Sequence, residues 1–241
     1  PKPAGAIVRL WGRTGRLPWF VRWPLRAAVP AAVCALAVAA VYAALAYRYD
    51  LEDLGRMPER SIVYDARGNE LGRIHGENRM VVPLEEVSEW FLKALLARED
   101  SRFYRHGGVD WIGVARAAFR AVRDREVGQG ASTITMQLAR NSYNLTRAKS
   151  FHRKLLEIAI TRRIEANRSK REILELYVNR IFFGTGIYGI ERAAQSYFGK
   201  PAAKLSLDES AMLAAIIRGP NRFSPFRHYE VAISGRNMVL D

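Results

Sequence analysis

The chain is 241 residues long, which is enough for one domain with a sizeable core and a short appendage. Its formal net charge of +14 suits a protein that acts on nucleic acid, beside anionic lipid or on phosphate groups, and the position of the charges decides among these. The single cysteine, Cys34, lies inside an apolar run, which excludes a disulfide or a thiolate metal site elsewhere in the chain.

An uncharged run rich in Ala, Val and Leu covers residues 27–47. As a helix that rises about 1.5 Å per residue, it spans the roughly 30 Å of a bilayer core. A buried core helix or a cleaved signal peptide is the alternative. The run is longer than the usual apolar region of a signal peptide, and no clear A-x-A cleavage site accompanies it. We therefore predict a transmembrane helix.

Residues 1–26 form a basic segment that contains no acid. The positive-inside rule places such a segment in the cytoplasm and everything after Tyr47 outside. Aromatic side chains are interleaved with its arginines: Trp11, Trp19, Phe20 and Trp23. They resemble nucleic-acid stacking groups, but their position beside the span favours interfacial anchors. We predict a single-pass protein of the cytoplasmic (inner) membrane with no nucleic-acid partner.

The segment after the span, residues 48–83, is predicted to be a linker that contains a β-hairpin. Its stretch from Ser61 to Ile74 has two short β-prone runs around a Gly-Asn turn. From Leu84 onward, apolar residues recur at helical steps until Gly107 and Gly108 stop the pattern. We assign residues 84–241 to the main domain.

That domain is predicted to be mainly α, because no long parallel-strand pattern occurs in it. Further helices are expected at Val109 to Val127, Ser132 to Asn141, Phe151 to Asn167, Lys170 to Arg180, Gly189 to Tyr197 and Leu207 to Ile217. Two of them begin with capping boxes, Ser169 with Glu172 and Ser206 with Glu209. The chain stops at Asp241 within an apparent helix, so we expect a fragment of a longer protein.

The predicted helix from Val109 to Val127 is both amphipathic and basic, with arginines between its apolar positions. A helix of this kind beside a membrane can lie among the lipid headgroups. An ordinary helix with a solvated arginine face has the same pattern, and the spacing does not separate the two.

The stretch from Arg98 to Gly108, R-E-D-S-R-F-Y-R-H-G-G, carries the first candidate catalytic group. If the preceding helix continues, Glu99, Phe103 and His106 share one face and Asp100 points about 100° away. A carboxylate at the edge of an apolar core suits a general base that acts on a sugar hydroxyl. On spacing alone, a surface ion pair of Glu99 with a neighbouring arginine is the simpler interpretation.

Residues 129–141 lead a Gly-Ser-Thr loop into a helix N-terminus. Free backbone amides and the helix dipole attract anions there, and Ser132, Thr133 and Thr135 add hydroxyl donors. A plain N-cap is the alternative.

The stretch from His152 to Glu157, H-R-K-L-L-E, places Arg153 and Lys154 four and three residues before Glu157, so that all three share one side of a helix. Such pairs commonly only support the helix. The functional interpretation is that the two cations bind phosphate, while the carboxylate orients them or holds a divalent metal.

Three glycines, Gly184, Gly186 and Gly189, spell the dinucleotide-binding pattern G-x-G-x-x-G. We reject this match because the preceding segment is a capped helix rather than a strand, and because Asp208, the acid at nearly the right distance, belongs to the next capping box. The four histidines are too scattered for a zinc site.

Taken together, these stretches resemble the peptidoglycan glycosyltransferase domain (glycosyltransferase family 51) of class A penicillin-binding proteins and monofunctional transglycosylases. The resemblance covers essentially residues 60–241, and several motifs in a fixed order are more specific than any single one. The motifs are E-D-S-R-F-Y-R-H-G-G at 99–108, G-A-S-T-I-T-M-Q-L-A-R-N at 130–141, R-K-L-L-E at 153–157, K-R-E-I-L-E-L-Y-V-N at 170–179, Y-G-I-E-R-A-A-Q-S-Y-F-G-K at 188–200 and L-S-L-D-E-S-A-M-L-A at 205–214.

The resemblance implies a lysozyme-like, two-lobed, mainly α domain that polymerises lipid II into glycan strands on the outer face of the cytoplasmic membrane. It implies that Glu99 is the base that deprotonates the 4-hydroxyl of the acceptor sugar, and that attack on C1 of the donor gives a β-1,4 link and expels undecaprenyl pyrophosphate. Glu157 would support the donor pyrophosphate through a divalent cation, Mg or Mn, or through Arg153 and Lys154. No organic cofactor is expected.

Other motif residues are expected to bind substrate or to support the base: Asp100, Phe103, His106, Ser132, Thr135, Gln137, Arg140, Asn141, Arg153, Lys154 and Arg236. The expected partners are lipid II, the growing glycan strand, membrane lipid and other cell-wall synthesis proteins. A pyrophosphate leaving group needs positive charge rather than a proton, and the cations of these motifs would supply that charge.

The chain departs from the family pattern at a few positions. Met136 stands where the first Gln of T-Q-Q is usual, which is expected to weaken a polar contact to the donor, whereas Arg140 replaces a common Lys and keeps its charge. Residues 221–225, N-R-F-S-P, have Phe and Ser where Tyr and Asn are usual, and only Arg236 of a usual Arg pair remains.

Two other functions fit the same residues. A lysozyme-like peptidoglycan hydrolase would share the fold but has no use for phosphate-binding cations. A catalytically degenerate scaffold that binds lipid II is the alternative that Met136 favours. Whether a transpeptidase domain follows residue 241 lies beyond what the sequence determines.

Overall fold

The computed structural model describes residues 19–57, 61–74, 78–124, 131–145 and 150–241. The chain forms two compact units, residues 1–48 and 49–241. In the first unit, helix α1 (Trp19–Ala46) contains a 21-residue apolar stretch, Arg26–Ala46, with a mean hydropathy of 2.2. By length and composition this helix is able to cross a membrane. The predicted apolar helix is therefore present, whereas residues 1–18 of the predicted basic segment lie outside the described residues.

The second unit is mainly helical, as predicted, and begins with a two-stranded antiparallel hairpin, β1 (Ser61–Tyr64) and β2 (Glu70–Ile74). Its helices are α2 (Glu89–Glu99), α3 (Trp111–Asp124), α4 (Ile134–Ser142), α5 (Phe151–Asn167), α6 (Lys170–Val178), α7 (Ile190–Phe198), α8 (Leu207–Arg218) and α9 (Tyr229–Leu240). Single 3₁₀ turns occur at Glu52–Leu54, Leu84–Glu86, Phe103–Arg105 and Ala202–Lys204.

The predicted hairpin forms because Asp65 closes its turn. The Asp65 carboxylate accepts hydrogen bonds from the backbone N–H groups of Arg67 and Asn69, both at 2.8 Å. Gly68 adopts a φ of +83°, which glycine accommodates without strain. Further along the predicted linker, the Asn179 side chain bonds both backbone groups of Val82 and so fixes this segment to the helical domain.

The core centres on α8, whose residues 210–216 are all buried. Helix α8 packs against α2 and α9, while α4 packs against α5 and α6. Both predicted capping boxes are present, at the start of α6 and of α8. One group of packed helices contains α2, α8 and α9, and the other contains α4, α5 and α6. The two groups meet where the residue after α2 bonds the start of α4.

The helical pattern that begins at Leu84 does not form one helix up to Gly107. After a 3₁₀ turn at Leu84–Glu86, α2 spans only Glu89–Glu99. Asp100 has φ −160° and ψ 72°, so the chain leaves the helical conformation directly after Glu99. Because the helix stops there, Glu99 and His106 do not share a helical face.

The predicted amphipathic helix is α3, which ends at Asp124, while residues 125–130 lie outside the described residues. Several of its apolar side chains are exposed: Trp111, Ile112, Phe119 and Val122. Farther along, Gly184, Gly186 and Gly189 all have positive φ in the loop between α6 and α7. Since a helix precedes this loop, the rejection of a dinucleotide fold is supported.

Candidate active site

Glu99 is the last residue of α2 and opens onto a cleft with a volume of about 360 Å³. The cleft is lined by the end of α2, by α4 and the residues just before it, and by the end of α8. The other residues that line it are Arg98, Ser132, Gln137, Arg140, Ile217 and Arg218. The predicted base therefore lies in the same cleft as three of the predicted substrate-binding residues, Ser132, Gln137 and Arg140.

One oxygen of the Glu99 carboxylate is held from the core side of the cleft. Gln137 on α4 donates from Nε2 to Glu99 Oε2 at 2.7 Å. The Tyr177 hydroxyl on α6 donates in turn to Gln137 Oε1 at 3.0 Å. Among the described residues, no group donates a hydrogen bond to Glu99 Oε1, so this oxygen is available to a ligand. Gln137 was predicted to bind substrate, but its amide is engaged by the protein.

Asp100 and His106 were predicted to bind substrate or to support the base, and the structure buries them against each other. His106 Nε2 lies 2.9 Å from Asp100 Oδ1, and both side chains are at least 95% buried. Asp100 Oδ2 also accepts from the backbone N–H of Ile134 at 3.1 Å. A buried acid thus joins the residue after Glu99 to the first turn of α4. The pair therefore holds the segment that follows Glu99 and offers little side-chain surface to a substrate.

Phe103 has the same supporting position. Its ring is 1% exposed and packs edge-on against Tyr104, with the ammonium of Lys170 4.4 Å from its centroid. Phe103 also meets the His106 ring edge-on. The predicted association of Phe103 with the site is indirect, because its contacts are with the residues that hold the loop.

Several groups of the predicted anion site at the start of α4 are bonded within the protein. Thr133, rather than Ser132, caps the helix, and its hydroxyl accepts from the N–H of Met136 at 3.2 Å. The N–H of Ile134 is taken by Asp100. Thr135, predicted to bind substrate, is fully buried and donates to Glu165 at 2.5 Å. The protein therefore uses the Thr133 and Thr135 hydroxyls and the N–H of Ile134, whereas Ser132 lines the cleft.

Two further predictions for α4 are corrected by where the side chains lie. Met136 is 1% exposed, so it lies in the core, and the expectation that it weakens a polar contact to the donor is wrong. Asn141 is exposed near the C-terminal end of α4 and is absent from the walls of the Glu99 cleft.

Glu157 on α5 contacts a cation with each of its carboxylate oxygens. Its side chain is fully buried, with Arg153 Nη1 3.2 Å from Oε2 and Lys154 Nζ 3.0 Å from Oε1. Lys154 also donates to Ser132 Oγ at 3.1 Å. The predicted clustering of the three charged residues is confirmed, and Ser132 connects the cluster to the wall of the Glu99 cleft.

Arg98 and Arg218 are cleft residues that the sequence analysis missed. Burial lowers the pKa of the Arg98 guanidinium, and the positive charge of Arg218 acts in the same direction. Arg98 Nε is buried without a hydrogen-bond partner. No ion pair to Arg98, Arg140 or Arg218 is formed within the described part of the chain. The cleft therefore holds positive charge that an anionic ligand would neutralise. For Arg98, its position directly before a suspected catalytic acid was the signal in the sequence that could have identified it.

Arg236 lies on α9 and lines a different groove, together with Tyr197, Asp208 and Phe226. Its guanidinium bonds the side chain of Asn237 at 2.8 Å. The structure therefore does not bring Arg236 to the walls of the Glu99 cleft, as its predicted role in substrate binding would require.

The donor groups around Glu157 do not form a typical site for a divalent cation. Both of its carboxylate oxygens already contact cations. The described residues contain no cluster of three His, Cys, Asp or Glu side chains that would hold a metal ion. Hard divalent cations prefer several oxygen ligands, and a single buried carboxylate neutralised by Arg and Lys offers few.

A family model described as "Transglycosylase" matches residues 67–241. Penicillin-binding protein 1A of Aquifex aeolicus is 44% identical over 183 residues, which cover 76% of this chain and 25% of that protein. Penicillin-binding protein 1A of Escherichia coli is 39% identical over 217 residues, covering 87% of this chain and 25% of that protein. A crystal structure of penicillin-binding protein 1A from Haemophilus influenzae aligns with a TM-score of 0.42 at 24% identity, over 77% of this chain and 18% of that one. The chain spans about a quarter of the length of the two curated relatives.

Proposed function

The chain belongs to the transglycosylase family, and we propose that it is a peptidoglycan glycosyltransferase that polymerises lipid II into β-1,4-linked glycan strands. One observation carries the proposal: Glu99, a carboxylate with one oxygen that accepts no hydrogen bond from the described residues, lines the same cleft as three arginines that form no ion pair with those residues. A base and an uncompensated positive field are what the transfer of a sugar from a diphosphate donor requires.

In the proposed reaction Glu99 is the general base. Its free Oε1 takes the proton of the acceptor's 4-hydroxyl, while Oε2 stays bonded to Gln137. The hydroxyl oxygen attacks C1 of the donor sugar from the face opposite the leaving group, so the configuration inverts. The bond from C1 to the phosphate oxygen breaks, and its electron pair leaves with undecaprenyl pyrophosphate.

Positive charge stabilises this leaving group. Arg140 lines the cleft, and Ser132 is bonded to Lys154 at 3.1 Å. The full burial of Glu157 holds Arg153 and Lys154 in fixed positions, so the cations are pre-organised before the diphosphate arrives. These cations therefore stabilise the negative charge that develops on the leaving oxygen, and the protein does not need to rearrange.

A divalent cation, Mg or Mn, was the other expected support for the diphosphate. The contacts of Glu157 favour a direct role for the two basic side chains, since neither carboxylate oxygen is left free for a metal. We therefore propose that Glu157 orients Arg153 and Lys154, and no step of the proposed reaction depends on a protein-bound metal.

We further propose that α1 anchors the protein in the cytoplasmic membrane, with the catalytic unit on the outer side. Support comes from the apolar stretch Arg26–Ala46 and from the basic residues that precede it. A substrate with a polyprenyl tail is confined to the bilayer, so an anchored enzyme meets it there. The exposed apolar side chains of α3 fit contact with lipid.

Incubation of the full chain with labelled lipid II, with and without EDTA, tests the proposal. Growth of glycan strands supports a polymerase, binding without growth supports a scaffold, and cleavage of added glycan supports a hydrolase. Glu99→Gln should abolish strand growth while lipid II still binds. Polymerisation by Glu99→Gln at the parent rate would show that the base is another group.

A further inference from the structure

We propose that Tyr177 is a positioning residue for the base, because its hydroxyl fixes the amide of Gln137 in the orientation that presents the NH₂ group to Glu99. This inference rests on the proposed function of Glu99. It assigns a role to a buried side chain in a motif for which the sequence analysis named no site residue.

Two hydrogen bonds in series connect the core to the cleft. The Tyr177 hydroxyl lies 3.0 Å from Gln137 Oε1, and Gln137 Nε2 lies 2.7 Å from Glu99 Oε2. The three residues come from α6, α4 and α2, so the chain of bonds crosses three helices. Tyr177 is 1% exposed, which leaves its hydroxyl out of contact with bulk water.

The direction of the two bonds determines what Glu99 meets. A glutamine side chain can present either its oxygen or its NH₂ group to a neighbour, and only the NH₂ group attracts a carboxylate. Burial raises the pKa of Tyr177 well above its usual range, and the negative charge of Glu99 acts in the same direction. The hydroxyl therefore keeps its proton and donates a hydrogen bond to Gln137 Oε1. This directs Nε2 toward Glu99.

The consequence for catalysis is a carboxylate held in one geometry. The donor on Oε2 limits the rotation of the carboxylate and leaves Oε1 for the acceptor hydroxyl of the proposed reaction. Other charged groups surround Glu99 and Tyr177 and remain in place when the tyrosine hydroxyl is removed. These groups are Arg98, Asp100, Arg140 and Arg218.

Tyr177→Phe removes one oxygen and keeps the ring, so the pH–rate profile of lipid II polymerisation is the first measurement. We expect kcat to fall roughly tenfold, with little change in KM, because a Gln137 amide that Tyr177 no longer fixes makes a weaker hydrogen bond to the charged Glu99. The acidic limb of the kcat/KM profile should move to higher pH, because the Gln137 amide, no longer fixed by Tyr177, donates less well to the base. A profile with an unchanged shape would overturn the proposal.

Tyr197→Phe is the matched control. The Tyr197 hydroxyl donates to the backbone carbonyl of Phe183 at 2.7 Å, and its ring lines the separate groove of Arg236. Tyr197→Phe should lower the free energy of unfolding about as much as Tyr177→Phe does, because each loses one hydrogen bond. The acidic limb of its kcat/KM profile should stay where it is in the parent. A second test repeats Tyr177→Phe in a Gln137→Leu background, where the profile should not move further. An equal shift in both backgrounds would contradict a role through Gln137.

A measurement that does not depend on activity separates this inference from the proposed function. Hydrogen exchange of the Gln137 side-chain amide, followed by ¹⁵N NMR, should be at least about tenfold faster in Tyr177→Phe than in the parent and the Tyr197→Phe control. Equal exchange in all three proteins would reject the positioning role. Absence of polymerisation by the parent would reject the proposed function, and the exchange rates would still decide the role of Tyr177.

Discussion

Lys154 links the buried Glu157 to Ser132: its Nζ lies 3.0 Å from Glu157 Oε1 and 3.1 Å from Ser132 Oγ. Ser132 lines the cleft into which Glu99 opens. A fully buried carboxylate therefore fixes a cation at the edge of the cleft, although the carboxylate itself has no access to the ligand.

The first prediction concerns this buried charge cluster. Glu157→Gln leaves Arg153 and Lys154, whose side chains are 20% and 35% exposed, close together without their counter-charge. Removal of one partner from a fully buried ion pair costs about 3–5 kcal/mol, and solvent screening of these two cations places the cost at the lower end, about 3 kcal/mol. We expect the free energy of unfolding to fall by about this amount and polymerisation to fall more than tenfold. Chemical denaturation and lipid II assays measure the two effects.

Glu89→Gln is the control for that variant, because Glu89 forms an ion pair with Lys93 at the surface, also at a spacing of four residues. Exposed pairs contribute about 0–1 kcal/mol, so little change is expected. Equal losses in the two variants would contradict the role given to burial.

The second prediction concerns the arginines of the cleft. Arg98→Gln removes a positive charge that lies beside Glu99 and has no ion-pair partner within the described residues. If this charge binds the substrate's diphosphate, KM for lipid II should rise roughly tenfold, and the dependence of KM on salt should weaken. Arg227→Gln makes the same change in net charge at an exposed position outside this cleft, and its KM should match that of the parent.

The third prediction compares two glycines with positive φ. Gly108 has φ +92°, and a Cβ there would lie 2.6 Å from Thr161 Cγ2 and 2.8 Å from Glu165 Cγ. Gly186 has φ +74° and no atom within 4 Å of a Cβ. Alanine at 186 should cost about 1 kcal/mol from backbone strain, whereas alanine at 108 should cost about 2–4 kcal/mol because overpacking adds to the strain. Thermal unfolding of the two variants tests this difference.

The fourth prediction concerns alkaline pH. The Tyr143 hydroxyl donates to the backbone carbonyl of Asp50 at 2.6 Å, and burial, followed by the negative charge of Asp53, raises the pKa of Tyr143 from 10.0 to about 12. Because the folded-state pKa is above the unfolded value, this contribution to stability is complete below pH 10 and is lost as the pH rises toward 12. Tyr143→Phe should reduce the loss of stability between these pH values. The same pH dependence in both proteins would contradict this.

The helix pattern and the capping boxes were predictable from the sequence because they depend on local spacing. Ser206 and Glu209 begin α8 as expected, and Arg153, Lys154 and Glu157 meet because residues three and four apart share one side of a helix. These interactions form within one element, so the order of residues along the chain specifies them.

The end of α2 was not predictable in this way. Asp100 leaves the helical conformation and bonds Ile134 and His106, which lie 34 and 6 residues farther along the chain. Its partner on α4 is a backbone N–H, which every residue except proline offers, so no residue type signals the contact. The same long-range bond uses one of the backbone N–H groups that the start of α4 had offered to an anion.

The sequence by itself determined the helical class, the apolar segment near the N-terminus, the transglycosylase motifs and the cluster around Glu157, because periodicity, composition and local spacing encode them. Only the tertiary structure decided that Met136 faces the core, that Arg98 and Arg218 share the cleft with Glu99, and that Arg236 lies elsewhere. The physical reason is that the direction of a side chain depends on which helices pack against its own. That packing also joined Glu99, Gln137 and Tyr177, three residues from separate motifs, into one chain of hydrogen bonds.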